Sequence, residues 1–164
     1  MIQIYTKGQS VPYSPLMEIY HEDLLNSAQK DYPHLSLQEA LHGAQQDFFS
    51  YITEDFFSVE GAFLALSQEA GRSCAALRIE PYADGYLLTG LATAPTHRRM
   101  GYGTKLLRHC ISLLPKGSVL YSHVDKQNLA SMAFHEKNGF QIIADGAQML
   151  DGSYHRDHWT LSRP

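Results

Sequence analysis

A chain of 164 residues, 44% hydrophobic and 18% charged, is long enough to bury one continuous core, and its net charge of −4 does not imply general nucleic-acid affinity, so no nucleic-acid partner is expected. The stretch Met1-Ile2-Gln3-Ile4-Tyr5-Thr6-Lys7 lacks the basic start and apolar run of a secretory signal, and no apolar run approaches the roughly 18 residues needed to span a bilayer, so no membrane association and a cytoplasmic location are expected. Cys74 and Cys110 are too few for a disulfide framework and lack metal-ligand spacing; both sit in apolar patterns and are expected as small buried residues.

Residues 1–6 alternate apolar and polar, which predicts a first strand. Ser14-Pro15 then reads as a helix start, with serine as N-cap and proline at the first helical position. Leu16, Ile19, Tyr20, Leu24 and Ala28 share one face, and Pro33 ends the element. Ser36-Leu37-Gln38-Glu39 has the capping-box pattern, with Leu35 placed to staple against Ala40. Leu37, Ala40, Leu41, Ala44, Phe48, Tyr51 and Ile52 follow at helical spacing. After Gly61, residues 62–67, 73–80 and 86–94 predict an antiparallel meander, its first turn at Glu69-Ala70-Gly71 and its second carrying Pro81 and Asp84-Gly85. Pro95 ends the third of these strands.

A helix over about 102–114 puts Leu106, Leu107, Cys110, Ile111 and Leu114 on its inner face, and Pro115 and Gly117 stop it. Residues 118–124 predict a strand. Asn128 caps a helix reaching Asn138, Gly139 supplies the left-handed residue at its end, and Phe140 folds back as the hydrophobic contact. Strands over about 140–144 and 154–161, joined through Asp151-Gly152, close the chain. The order β-α-α-β-β-β-α-β-α-β-β predicts a single α/β (α+β) domain over residues 1–164, with a mixed sheet and helices on its faces.

The passage Thr93-Ala94-Pro95-Thr96-His97-Arg98-Arg99-Met100-Gly101-Tyr102-Gly103-Thr104 carries the chemistry. A helix N-terminus presents unpaired N–H groups and positive partial charge, which suit phosphate oxygens. Gly101 and Gly103 let the backbone approach phosphates, Arg98 and Arg99 add charge, and the Thr104 hydroxyl adds a hydrogen bond. A P-loop would need four residues between its first glycine and Gly-Lys-Ser/Thr, and a dinucleotide fingerprint would need a third glycine near Leu106; neither condition is met. Charge is also divided along the chain. Through residue 60, nine acids face two bases, a balance of −7, and afterwards eleven bases face eight acids, a balance of +3. An anionic ligand on the later half and a cationic one near the earlier half would fit that division.

Arg98-x-x-Gly101-x-Gly103 at a strand-to-helix passage resembles the acetyl-CoA signature of the GNAT superfamily of N-acetyltransferases, and Leu91-Ala92-Thr93-Ala94-Pro95 sits where that family has its central strand end. The segment from Asn128 through Ser131 and Phe134 to Gly139-Phe140 resembles the family's Asn-helix-Gly-Phe stretch. The resemblance is strongest over residues 86–140. It implies a GNAT-like, mostly antiparallel seven-stranded sheet with helices on both faces, acetyl-CoA as co-substrate, no metal, and acetyl or short-acyl transfer to a primary amine by direct attack.

The same resemblance implies that Leu91, Ala92 and Thr93 hold the pantetheine arm, with an N–H at Leu91 or Ala92 polarising the thioester carbonyl. It further implies that the segment Arg98, Arg99, Met100, Gly101, Tyr102, Gly103, Thr104 binds pyrophosphate, with Asn128, Ser131 and Phe134 completing the cofactor site. Many family members carry a tyrosine as thiolate acid where this chain has His135, so His135 is the candidate acid and Tyr121 its reserve. The central strand holds no acidic residue; Glu80 and His123 are the candidate bases, with Glu54, Asp55, Glu60 and a water chain as alternatives. His155 and His158 on one strand are expected on opposite faces, against a metal site. Phe48, Phe49, Tyr51, Phe56 and Phe57 are expected in the core, with two or three of them as alternatives for lining an acceptor pocket. The acceptor is expected to be a small-molecule or peptide amine, cationic in solution. A non-catalytic CoA-binding regulatory module and a plain interaction domain are the competing functions, and a homodimer is compatible with the sequence.

Overall fold

Alternation along the central strands divides their side chains between two apolar layers. The computed structural model describes residues 1–164. In β2 (Phe63–Glu69) and β3 (Arg72–Tyr82), Leu64, Leu66 and Ala76 face one layer, while Phe63, Ala65, Ala75 and Leu77 face the other. The first layer is covered by α1 (Tyr13–Ile19), α2 (His21–Asp31) and the chain after α3 (Leu37–Ser50), through Leu16, Ile19, Leu24, Ile52 and Phe56. The second is covered by α4 (Tyr102–Leu113), through Leu106, Leu107 and Cys110, with partly buried Met132 and Phe134 of α5 (Leu129–Lys137) packed against it. Both cysteines are buried, as their apolar contexts predicted.

With β1 (Ile2–Tyr5), β4 (Gly85–Thr93), β5 (Leu120–Asp125), β6 (Gln141–Gln148) and β7 (Tyr154–Arg163), the seven strands are ordered β1-β2-β3-β4-β5-β7-β6. Only β4 and β5 run parallel, as the long α4 connection between them requires. The mixed, mostly antiparallel seven-stranded sheet with helices on both faces agrees with the sequence reading. No helix is long and apolar enough to cross a membrane.

Local differences have physical reasons. Three helices, not two, lie between β1 and β2. The first starts at Tyr13 after Pro12, and Ser14 is not its N-cap; the chain then breaks at Tyr20, whose buried hydroxyl donates to the Gly90 carbonyl in β4. That anchor fixes the bend between α1 and α2. The capping box at Ser36 and Glu39 is present, with Ser36 N–H donating to Glu39 Oε2 at 3.1 Å and Glu39 N–H to Ser36 Oγ at 3.4 Å. Leu37, at the first helical position, is exposed and not on the inner face. Pro81 lies inside β3, opposite Tyr86, and not in the turn. β2 begins at Phe63, opposite Ile79, so no β2 residue reaches Pro81 to need the N–H that proline lacks. At the end of α5, Gly139 at φ 87° donates to the Glu136 carbonyl and Phe140 to that of His135, each at 3.0 Å, which satisfies two terminal carbonyls.

Candidate active site

The cleft begins where two parallel strands part. β4 and β5 pair only from Tyr86–Leu88 to Leu120–Ser122, and beyond Leu88 they separate. Ala76 pairs with Ala92 and Arg78 with Thr89, so Gly90 and Leu91 together oppose Leu77: a β-bulge at the point of parting. Gly90 has φ 54°, and a Cβ there would lie 2.6 Å from the Arg78 guanidinium, so the position requires glycine twice over. Ala94 N–H donates to the Cys74 carbonyl at 2.9 Å. By alternation, the polar groups of Ala92 also turn toward β3, leaving those of Leu91 and Thr93 facing the cleft. Of the two residues offered as carbonyl-polarising donors, only Leu91 is therefore oriented for it. The cleft has a volume of about 300 Å³ and includes Leu91, Ser122, His123, Ser131, His135 and His158 in its walls.

At the mouth stands the N-terminus of α4. Gly101, its N-cap, has φ 84° with open space where a Cβ would be, and the first-turn amides of Tyr102, Gly103 and Thr104 have no partner within the helix. Arg99 is also left-handed, at φ 62°, and exposed, as is Met100. Two expectations change here. Gly103 is buried with ordinary φ; a Cβ on it would lie 3.2 Å from Thr93 Oγ1 and 3.4 Å from the Phe134 ring. Its glycine serves the close packing of α4 on β4 and α5, not approach to phosphate. Arg98 is not a free cation: it pairs with Glu22 of α2 at 2.5 Å and donates from Nε to the Thr93 carbonyl at 3.3 Å. Thr104 Oγ1 accepts from Asn138 Nδ2 at 3.5 Å.

On the α5 side, Asn128 Oδ1 caps the helix by accepting from Ser131 N–H at 3.0 Å, so this side chain is committed to the fold. His135 is buried, 3% exposed. Its Nδ1 lies 2.7 Å from the Ser131 carbonyl, which can only accept, so Nδ1 carries the proton. Nε2 lies 2.8 Å from Ser122 Oγ and, in the neutral ring, accepts its proton. Burial holds the imidazole below its ordinary value, with the Ser131 bond opposing. Nε2 therefore has no proton to give and Nδ1 spends its own on the Ser131 carbonyl, which weighs against His135 as a direct acid. The reserve, Tyr121, donates to Asp84 Oδ1 at 2.5 Å, and that bond, followed by burial, raises its pKa.

The opposite face of the same three strands is unfinished. Arg78 Nε, Glu80 Oε1, Thr89 Oγ1 and His123 Nε2 are buried without a hydrogen-bond partner. All four belong to one face of β3, β4 and β5, turned away from the α4 layer. Arg78 stacks under Phe48, Tyr51 and Phe56 at 5.3–5.8 Å, and Tyr82 touches the rings of Tyr121 and His123, each at 5.5 Å. The aromatic group from the sequence thus divides: Phe56 and Phe57 are buried, while Tyr51 remains partly open above the polar cluster. Burial pushes the Glu80 carboxyl up, with Arg78 opposing. Burial, then the neighbouring His158 and His155, holds His123 below its ordinary value.

His155 and His158 do not diverge as their spacing predicted. The β6–β7 register shifts between Asp145 and Ala147, and the resulting bulge brings the two rings to 5.2 Å, with Asp157 Oδ1 2.8 Å from His158 Nδ1. The groups lie close enough for a common ligand, so the strand-parity argument against a metal does not hold at this bulge.

Sequence reasoning missed Arg78, Thr89 and Ser122, and gave Tyr20 and His158 no place in the site. A signal existed for the bulge: Gly90 interrupts an apolar strand pattern, as glycine does at a bulge. The others depend on strand register and carry no local signature.

Residues 16–140 match the family model described as Acetyltransferase (GNAT) family. A curated relative, N-alpha-acetyltransferase 50 of Danio rerio, is 38% identical over 61 residues, a stretch covering 35% of this chain and 36% of that protein. Among solved structures, the PaiA N-acetyltransferase of Thermoplasma acidophilum, in complex with coenzyme A, aligns with TM-score 0.65 at 15% identity over 99% of this chain and 98% of that one. The ribosomal-protein-S18-alanine N-acetyltransferase of Escherichia coli aligns with TM-score 0.59 at 23% identity, over 100% and 94%. At these identities the structural likenesses speak for the fold.

Proposed function

The chain belongs to the GNAT acetyltransferase family, and from that premise we propose that it moves an acetyl or other short acyl group from acetyl-CoA to a primary amine by direct attack in a ternary complex. The observation that carries the reading is the free edge of β4 at Leu91 and Thr93, beside the open N-terminus of α4. A pantetheine arm offers amide groups that can pair with such an edge, and a pyrophosphate suits the amides of Tyr102, Gly103 and Thr104. Glycine at 101 provides the left-handed entry, and Arg99 adds an unpaired cation. Phe134 and Ser131 shape the inner wall.

The Leu91 N–H would stabilise the charge that develops on the thioester oxygen. The acceptor, an ammonium ion in solution, must lose a proton before attack. His123 is the base this reading favours: its Nε2 is unpartnered, it lines the cleft, and its depressed pKa keeps it neutral at pH 7. Glu80, two residues beyond Arg78 on the same face, assists by its negative charge. The CoA thiolate takes its proton from solvent, and His135 acts as a positioning residue that orients Ser122. The acceptor is a small-molecule or peptide amine approached from the acidic N-terminal half, and the reaction is assigned to the cytoplasm.

A thiol-release assay with acetyl-CoA and a panel of amines, peptides and polyamines tests this directly. Saturable release that depends on one class of amine is expected. Tight acetyl-CoA binding with no release across the panel would instead identify a CoA-binding module.

A further inference from the structure

Arg78 and Glu80 present an electrostatic problem. They carry opposite charges two residues apart on one face of β3, yet they form no ion pair within 4.0 Å, and each keeps a buried polar atom unpartnered. Arg78 is partly buried, and a guanidinium whose Nε is shut away from water without a partner is costly; stacking on three aromatic rings offsets only part of that cost. Thr89, the β4 residue directly opposite Arg78, adds an orphaned hydroxyl on the same side. The guanidinium also lies against Gly90, at the bulge where the thioester would arrive.

We propose that the acceptor is an amino acid or similar small amino-carboxylate, whose carboxylate is held by Arg78 and Thr89 while its amine points toward His123 and Glu80. Arg78 is suited to this because its planar fork matches a carboxylate, and Thr89 supplies a further donor beside it. The amine lies on the other side of the same ligand, near the two groups that favour a positive charge or accept a proton. One zwitterion thereby sets complementary charge beside four side chains that the protein does not pair among themselves. The inference rests on the acetyl-transfer reading and narrows its acceptor: a simple cation such as a polyamine would leave Arg78 unpartnered and repelled. A peptide N-terminus, with an amide where the carboxylate would be, would forgo the charge pairing.

The test uses matched trios in which only the carboxylate changes: phenylalanine, phenylalaninamide and phenethylamine, and the corresponding compounds of methionine and glutamate. With the wild-type protein and acetyl-CoA, at least one free amino acid should exceed its amide and its decarboxylated amine in kcat/KM by about 10- to 100-fold, the range of a charged hydrogen-bonded contact. Arg78→Met should remove that preference by raising KM for the amino acid alone, and Arg78→Lys should restore part of it. Equal or better use of the amides or amines overturns the proposal, as does an Arg78→Met variant that slows every acceptor equally. Calorimetric titration of the same trios into the CoA-saturated protein gives a readout independent of turnover. Preferential binding of the amino acid without thiol release would sustain the carboxylate site while refuting the acetyl-transfer reading, and no preference in binding would refute the site.

Discussion

The two faces of the β4–β5 cleft are finished to different degrees. On the face covered by α4 and α5, Ser122 and His135 bond each other, the Ser131 carbonyl takes the other ring nitrogen, and Gly103 is fitted against Thr93 and Phe134. On the other face, Arg78, Glu80, Thr89 and His123 all keep unpartnered buried atoms. Burying polar groups without partners costs stability, so a fold that tolerates four of them on one small surface is consistent with a ligand completing them. The first face reads as a scaffold for a cofactor arm held mainly by backbone. The second reads as a side-chain site for a reacting molecule.

Substitutions on the two faces should therefore fail differently. The largest effect is expected from His123→Ala, which should lower kcat by about 100-fold or more while leaving acetyl-CoA affinity and thermal stability nearly unchanged. A parallel fall in stability would move His123 to the scaffold. Ser122→Ala should do the reverse: it leaves His135 Nε2 buried without a partner, at a cost of about 1–3 kcal/mol, read as a lower denaturation midpoint with a smaller loss of kcat. If His135 were the acid, His135→Gln would abolish turnover with every amine; as a positioning residue it should retain measurable rate.

The pH profile separates the faces further. His123 has a pKa below its usual value, so its neutral form persists to lower pH and activity limited by its protonation should be lost only as pH falls below about 6.5. The same sign applies to stability. A neutral ring with a depressed folded pKa contributes stability above the unfolded value, and this is lost as pH falls through the folded one, for His135 as for His123. An acidic limb above pH 7 that persists in His123→Ala would assign it to another group. The smallest effect is expected at the rim. Glu22→Gln breaks an exposed ion pair worth roughly 0–1 kcal/mol and frees Arg98, so stability should barely change while acetyl-CoA affinity rises slightly at low salt.

The cofactor side was legible in the sequence because its signals are local. Gly101, Asn128 and Gly139 mark helix ends through backbone conformation and capping, and their spacing alone placed α4 and α5. The acceptor face was legible only in part. Glu80 and His123 were visible as candidate bases, but Arg78 and Thr89 become neighbours only through the β3–β4 register, which the bulge at Gly90 displaces. The bend at Tyr20 was obscured for the same reason: its cause, the carbonyl of Gly90, lies seventy residues away. The pairing of His155 with His158 defied strand parity because a bulge, which sequence alternation does not reveal, reset it.

The central claim, that the start of α4 and the free edge of β4 hold acetyl-CoA, is tested most directly by calorimetric titration of acetyl-CoA into the wild-type protein and Gly101→Val. Valine strongly disfavours the left-handed backbone that Gly101 adopts at φ 84°, although open space surrounds it. Saturable one-to-one binding, weakened at least about tenfold in a variant that still melts cooperatively, is the predicted result. No binding by the wild-type protein, or equal binding by both, would contradict the account.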